Sequence, residues 1–295
     1  MTNPTTAPPE FEAGAHTDSA FVFSPTPTEV FTPAPTERLA DWYLVDLAAQ
    51  PDALKTLYSI ESAPDYALLY MGTSYQDVAL QGPLLVKPTA PPLHQWLQTW
   101  ATQGRSLALH DGGCTLQELG AHFVNLTHVH GPYGPQRFRY ASAFAIGSIG
   151  PSLTANQRLR LLGPLQALHG EYDGRYWSLK RQRPDQPGMT ASPFTLTPDN
   201  LKHHARERRR MLAESLARSY SLDTSVTATW FEQLQRLGAP SEQALVEASH
   251  ILARQALVAP MTDAQIANIE QSTQNWPERL DTLMAITEQH EEGTS

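Results

Sequence analysis

Short apolar runs of strand length alternate with amphipathic helical stretches as far as residue 181, and beyond Pro198 the strand signals cease. A chain patterned this way needs a lobe built round a sheet, followed by a lobe of helices packed on one another. The expected fold class is α+β, with an N-terminal mixed α/β lobe over residues 37–181, a linker over 182–198 and an all-helical lobe over 199–295. Residues 1–36, dense in Pro and Thr as in Thr32-Pro33-Ala34-Pro35-Thr36, read as a flexible tail. Phe11, Phe21, Val22, Phe23, Val30 and Phe31 are more apolar than a linker needs, which leaves open that part of the tail lies along a groove.

Within the first lobe, Trp42 to Leu47 reads as a strand, followed by a helix with Pro51 at its first position. Tyr66 to Met71, Leu84 to Val86 and Leu107 to Leu109 read as further strands, and Leu93, Trp96, Leu97 and Trp100 recur at helical spacing. Thr115-Leu116-Gln117-Glu118 and Thr154-Ala155-Asn156-Gln157 are capping boxes, each opening a helix; the second helix ends at Gly163-Pro164. Thr127 to His130 and Arg137 to Tyr140, separated by Gly131-Pro132-Tyr133-Gly134-Pro135, read as a hairpin, and its antiparallel pairing beside strand–helix alternation predicts a mixed sheet. Tyr172 to Leu179 predicts one more strand. Thr197 as cap, with Pro198 behind it, starts a long helix, and Ser241 to Val258 and Thr262 to Gln271 follow as helices.

The lone cysteine, Cys114, excludes an intramolecular disulfide and fits a reducing compartment, and no apolar stretch reaches bilayer length; the expected location is the cytoplasm. A net charge of −9 argues against a nucleic-acid partner, which demands a basic footprint. The charge is uneven: residues 151–220 hold 12 basic and 6 acidic side chains, against 9 and 24 elsewhere. An anionic partner for the middle segment, or the protein's own acidic surface, satisfies that asymmetry.

Several residues carry potential chemistry. His128 and His130 share one side of a strand, about 6.6 Å apart, as two zinc ligands would, with His122 and His110 as possible additions; the alternative is a plain surface. Cys114, near His110 and Asp111, suggests a thiol nucleophile, but its place before the cap Thr115 in a glycine-rich turn favours a structural role. Asp46 ends the first strand, where a lone carboxylate caps the following turn or acts as a general acid. Arg139 alternates with Phe138 and Tyr140, so its guanidinium either meets a partner or pairs with an internal carboxylate such as Asp46. In the long helix, Leu201, Ala205, Leu212 and Leu216 form an apolar stripe interrupted by Arg208, which must snorkel or pair, while Lys202, Arg206, Arg209 and Arg210 make a basic ridge on another flank.

The ordered set Tyr43-Leu44-Val45-Asp46-Leu47-Ala48, Gly82-Pro83-Leu84-Leu85, His122-Phe123, Gly131, Phe138-Arg139-Tyr140 and Gln157 to Leu162 running into Gly163-Pro164 resembles the effector-adaptor family of bacterial type VI secretion. One departure is that the family usually continues the Arg-aromatic strand with an Asp-Pro-Arg turn, where this chain has Ser142-Ala143-Phe144. The resemblance implies a mixed α/β lobe before a helical lobe and no cofactor; beside it, the individual residues lead to the expectation of no metal and no catalytic residues. The resemblance also implies a chaperone that binds a cognate effector toxin and loads it onto the VgrG spike protein, with no stable membrane insertion. Partner-binding candidates are Phe138, Arg139, Tyr140, Lys202, Arg206, Arg209 and Arg210. The reading from a different class is a small hydrolase or transferase using the Asp46, His110 and Cys114 region, which requires those side chains to cluster in one pocket.

Overall fold

The computed structural model of the chain describes residues 19–26, 40–182, 193–254, 259–272 and 275–292. Its contacts divide the chain into two compact units, Met1–His203 and His204–Ser295.

The first unit is built on a seven-stranded sheet in the order β1-β9-β8-β5-β2-β4-β3. Its strands are β1 Ser19–Ser24, β2 Trp42–Asp46, β3 Asp65–Leu68, β4 Pro83–Lys87, β5 Ser106–His110, β8 Ala167–Tyr172 and β9 Arg175–Arg181. Helices α1 Ala53–Ile60, α2 Pro91–Thr102, α3 Leu116–Leu126, α4 Ala143–Ile149 and α5 Ala155–Leu162 complete the unit, with a separate hairpin of β6 His128–Gly131 and β7 Gly134–Arg137. β2 lies between β4 and β5, and its unbroken apolar run is explained by burial on both faces. Tyr43 and Val45 join Leu84, Val86 and Ala108 in a core closed by Leu57 of α1 and Leu93, Leu97 and Ala101 of α2. Leu44, Leu85 and Leu107, alternate residues on the opposite face, are buried as well.

Every pairing in this sheet is antiparallel, so the expectation of a mixed sheet is corrected. Helical crossovers do link parallel strands here, but never adjacent ones. β2 and β3, joined through α1, both run antiparallel to β4 between them; β4 and β5, joined through α2, both run antiparallel to β2. An intervening strand fills each gap, which strand–helix alternation in a sequence cannot reveal. The hairpin also ends earlier than expected, with β7 closing at Arg137.

Two parts of the chain read as loose segments are incorporated in the fold. Ser19–Ser24, inside the expected tail, pairs along the whole of β1 with β9; the tail's other residues, apart from Pro25 and Thr26, lie outside the described residues. At the end of the expected linker, Phe194 and Leu196 are buried, and the segment bonds β6 through His130 N–H to Phe194 O and Leu196 N–H to His130 O. Residues 183–192 lie outside the described residues.

In the second unit, the greater part of α6 Pro198–Tyr220 is joined by α7 Thr224–Arg236, α8 Glu242–Arg254, α9 Asp263–Ser272 and α10 Trp276–Glu292. Trp230, Phe231, Leu234, Leu245, Leu252, Ile266, Ile269 and Leu283 form its core with Ala213 and Leu216 of α6. The stripe expected on α6 is therefore displaced. Ala213, Leu216 and Ala217 are buried, Ala205 is exposed, and Arg208 pairs at the surface with Glu242 at 2.5 Å. Thr197 caps α6 as expected, its Oγ1 accepting from Asn200 N–H at 3.3 Å while Asn200 Oδ1 accepts from Thr197 N–H at 2.8 Å.

Candidate functional site

Three widely spaced motif residues converge at one end of the sheet. Asp46 closes β2, where its Oδ1 accepts from Ala48 N–H at 3.1 Å, which is the turn-capping role open to it from the sequence. Its Oδ2 holds the guanidinium of Arg139 at 2.6 Å, so the internal-carboxylate reading of Arg139 is the one the structure bears out. The arginine side chain is still 53% exposed, against 13% for the aspartate, and so presents a charged face outward from a fixed anchor. Opposite Asp46 in the β2–β4 register is Pro83, and Gly82 before it accepts from Leu47 N–H at 3.1 Å. A Cβ on Gly82 would stand 2.5 Å from Cδ2 of Tyr70, so the glycine is required by the tyrosine ring seated on it.

Tyr70 extends this corner into an aromatic row. It packs on Tyr75 at 5.2 Å, Tyr75 stacks on His128 at 5.4 Å, and Arg137 lies 5.8 Å from the Tyr75 ring. Burial pushes the Tyr70 phenol above its ordinary range. Met71, in the turn after Tyr70, and Val78 and Leu80, on the short 3-10 helix Gln76–Gln81 that follows, have exposures of 56%, 36% and 68%. Arginine, aromatic and methionine side chains around exposed aliphatic groups are the composition favoured at the centre of protein interfaces. Sequence reading missed Tyr70, Tyr75, Arg137 and the three apolar residues; the one available signal was apolar residues in the otherwise polar connection between β3 and β4.

Phe138 and Tyr140 do not belong to that surface, which corrects their inclusion among the partner-binding candidates. Both are buried, Phe138 against Phe194 at 5.5 Å and Tyr140 stacked on Phe123 at 5.4 Å. Their alternation with Arg139 holds although residues 138–140 lie outside β7. The residue between two core aromatics is thereby turned to the surface.

A second convergence is architectural. His122 on α3 is buried, with Nε2 donating to Leu161 O at 3.1 Å, and the Gly163 turn lies directly against its ring, where a Cβ would clash. Gly163 has φ +56°, in the left-handed region. Burial lowers the imidazole to about 4, with the Leu161 carbonyl opposing that shift and Arg160 adding to it. Arg181 spans the same turn, its guanidinium donating to Leu165 O at 3.2 Å and to Gly163 O. His122-Phe123 and Gly163-Pro164 are thus two sides of one packing joint.

The basic ridge falls mainly in the second unit. Arg206, Arg209 and Arg210 border a cavity of about 350 Å³ with Ala213, Thr224, Ala228, Phe231, Glu232 and Gln235. Arg210 is neutralised within its own helix by Glu207 at 3.1 Å and by Glu214. Lys202, in the first unit, is exposed and lies 3.6 Å from Asp199.

The side chains required for a hydrolase or transferase are not brought together. In the antiparallel β2–β5 register Trp42 faces Leu109 and Val45 faces Ser106, so Asp46 lies at one end of the sheet and His110 and Cys114 at the other. Burial, followed by the charge of Asp111, raises the Cys114 thiol pKa, opposing thiolate formation. Asp111 is occupied by the turn, accepting from Trp42 Nε1–H at 2.6 Å, Gly113 N–H at 2.9 Å and Cys114 N–H at 3.1 Å. His128 and His130 are exposed, His128 against Tyr75; among the described residues no group of three or more His, Cys, Asp or Glu side chains could hold a metal ion. Among those residues no helix is long and apolar enough to cross a membrane.

No curated protein and no solved structure matches the chain. A family model does match residues 42–160, the segment carrying Asp46, Gly82, His122 and Arg139: that of the domain of unknown function DUF4123.

Proposed function

We propose that this chain is an adaptor chaperone of type VI secretion, working in the cytoplasm to bind a cognate effector and load it onto the VgrG spike by surface complementarity, without covalent chemistry. The observation that supports the reading most directly is the corner at which Asp46, Gly82 and Arg139 meet within the matched segment, beside exposed Met71, Val78 and Leu80. Such a surface suits a holding function: an anchored guanidinium supplies orientation, and exposed aliphatic groups supply area to desolvate. Separation of Asp46 from His110 and Cys114 supports binding over catalysis.

Co-expression with the effector encoded beside this chain's gene is the test. The effector's soluble yield rises and a complex survives gel filtration, whereas Arg139→Gln, which removes the charge but leaves Asp46 a hydrogen-bond donor, loses the complex while the protein still folds, with its melting temperature lowered only slightly. Intact assembly by the variant would remove the corner from the interface, and no complex with either effector or spike would refute the adaptor reading.

A further inference from the structure

The first unit carries a strand socket that its own N-terminal segment occupies. β1 lies at the sheet edge and pairs with β9 in a continuous register from Ser19 opposite Arg181 to Ser24 opposite Tyr176. Its alternation places Phe21 and Phe23 inward, half-buried, while Val22 is 52% exposed. The Phe21 ring stacks on Trp177 at 5.6 Å and covers Gly150, where any Cβ would overlap it. The Phe23 ring meets Tyr172 at 6.2 Å and lies under the Arg175 guanidinium, 4.1 Å from its centroid. These walls come from the segment between Gly150 and Trp177. Tyr172 in β8 and Trp177 in β9 are themselves buried.

We propose that the outer edge of β9 is an acceptor site for an extended partner segment reading aromatic-x-aromatic, with β1 its displaceable resident. Main-chain hydrogen bonds to a sheet edge supply affinity that is blind to sequence, and sockets for alternate side chains supply the selection. Here the first socket requires the missing side chain of Gly150, and the second offers a cation to a ring face, which favours aromatic over aliphatic occupants. Central strands such as β2 are covered on both faces and cannot leave without dismantling the core, whereas β1 contributes two half-buried rings and one ladder. The inference rests on the reading of the chain as a binder of protein segments, but its test needs no effector, so the two fail separately.

The probe is a fluorescein-labelled peptide of residues 19–26. It has to compete with a tethered strand whose effective concentration is on the order of millimolar, so the resident is weakened in the full chain by Phe21→Ser with Phe23→Ser. That variant binds the peptide at least tenfold more tightly than the unaltered chain, and a peptide carrying the same two substitutions does not bind. In a second full-length variant that keeps Phe21→Ser and Phe23→Ser, Cys114→Ser removes the native thiol and Val22→Cys with Ser178→Cys places cysteines at opposed positions of the register, within disulfide reach. Oxidation abolishes peptide binding and reduction restores it. Equal binding to the oxidised and reduced forms overturns the proposal. So does failure of the weakened variant to bind, whether through lost affinity or lost fold, when hydrogen exchange in the unaltered chain shows the β9 amides facing β1 protected as strongly as those facing β8.

Discussion

Acidification isolates the joint between α3 and the Gly163 turn. His122 is buried with one ring nitrogen donating to Leu161 O and the other, Nδ1, without a partner among the described residues, so a proton added there has no acceptor. Its folded value is about 4, below the ~6.5 of an unfolded chain. A depressed histidine leaves the folded state binding fewer protons than the unfolded one, so its contribution is intact above about pH 6.5 and is lost as pH falls toward 4. Integrating between those values, the loss from about pH 7.5 to pH 5 is on the order of 2 kcal/mol. His122→Gln retains an N–H donor and removes the titration. Urea unfolding of both proteins across this range cancels the contributions of His169 and the carboxylates, which both share. The variant is the less stable at pH 7.5 through imperfect packing, and the gap narrows by about 2 kcal/mol at pH 5. A gap that stays constant to within about 0.5 kcal/mol, or that widens on acidification, refutes the assignment of a neutral, depressed imidazole to this joint.

Gly163→Ala combines a left-handed backbone with a methyl group driven into the His122 ring, and lowers stability by more than about 4 kcal/mol, read as a shift of the urea midpoint. A wild-type midpoint would mean that the turn relaxes freely. On the basic ridge, Arg209→Glu changes stability by less than about 0.5 kcal/mol, whereas Arg210→Glu costs about 1 kcal/mol because it turns two intrahelical attractions, to Glu207 and Glu214, into repulsions. Thermal melts at low and high salt check this pair, and equal effects would show that the ridge is uniformly solvated.

Local grammar was legible wherever a rule operates within one turn or one strand. Thr115 and Thr154 close reciprocal boxes with Glu118 and Gln157, and Thr197 begins α6, because a cap and its partner lie three residues apart. The apolar run of β2 likewise reported two-sided burial. Strand order was not legible, since a helix between two strands leaves open whether they become neighbours or admit a third between them. β1 was concealed by the prolines and threonines around it: with the rest of the N-terminal segment it reads as a tail, and only the complementary surface of Gly150, Tyr172 and Trp177, far along the chain, selects six residues of it as a strand.

The candidate site divides along the same line. Arg139 was identifiable because two aromatics flank it, and an alternating pattern that buries Phe138 and Tyr140 must expose the residue between them. Those aromatics could not be sorted from interface residues by composition, since the side chains that fill a core are the ones that anchor a partner. Asp46 read as a turn cap or a general acid, and Arg139 as facing a partner or pairing with Asp46; the structure shows the cap and the pair together, one carboxylate oxygen holding the turn and the other holding Arg139. Tyr70 and Gly82 are twelve positions apart and touch only because β3 and β4 pair. A surface assembled from the ends of β2, β3 and β4 has no signature in any one of them, which is why its residues emerge together only when the sheet is in place.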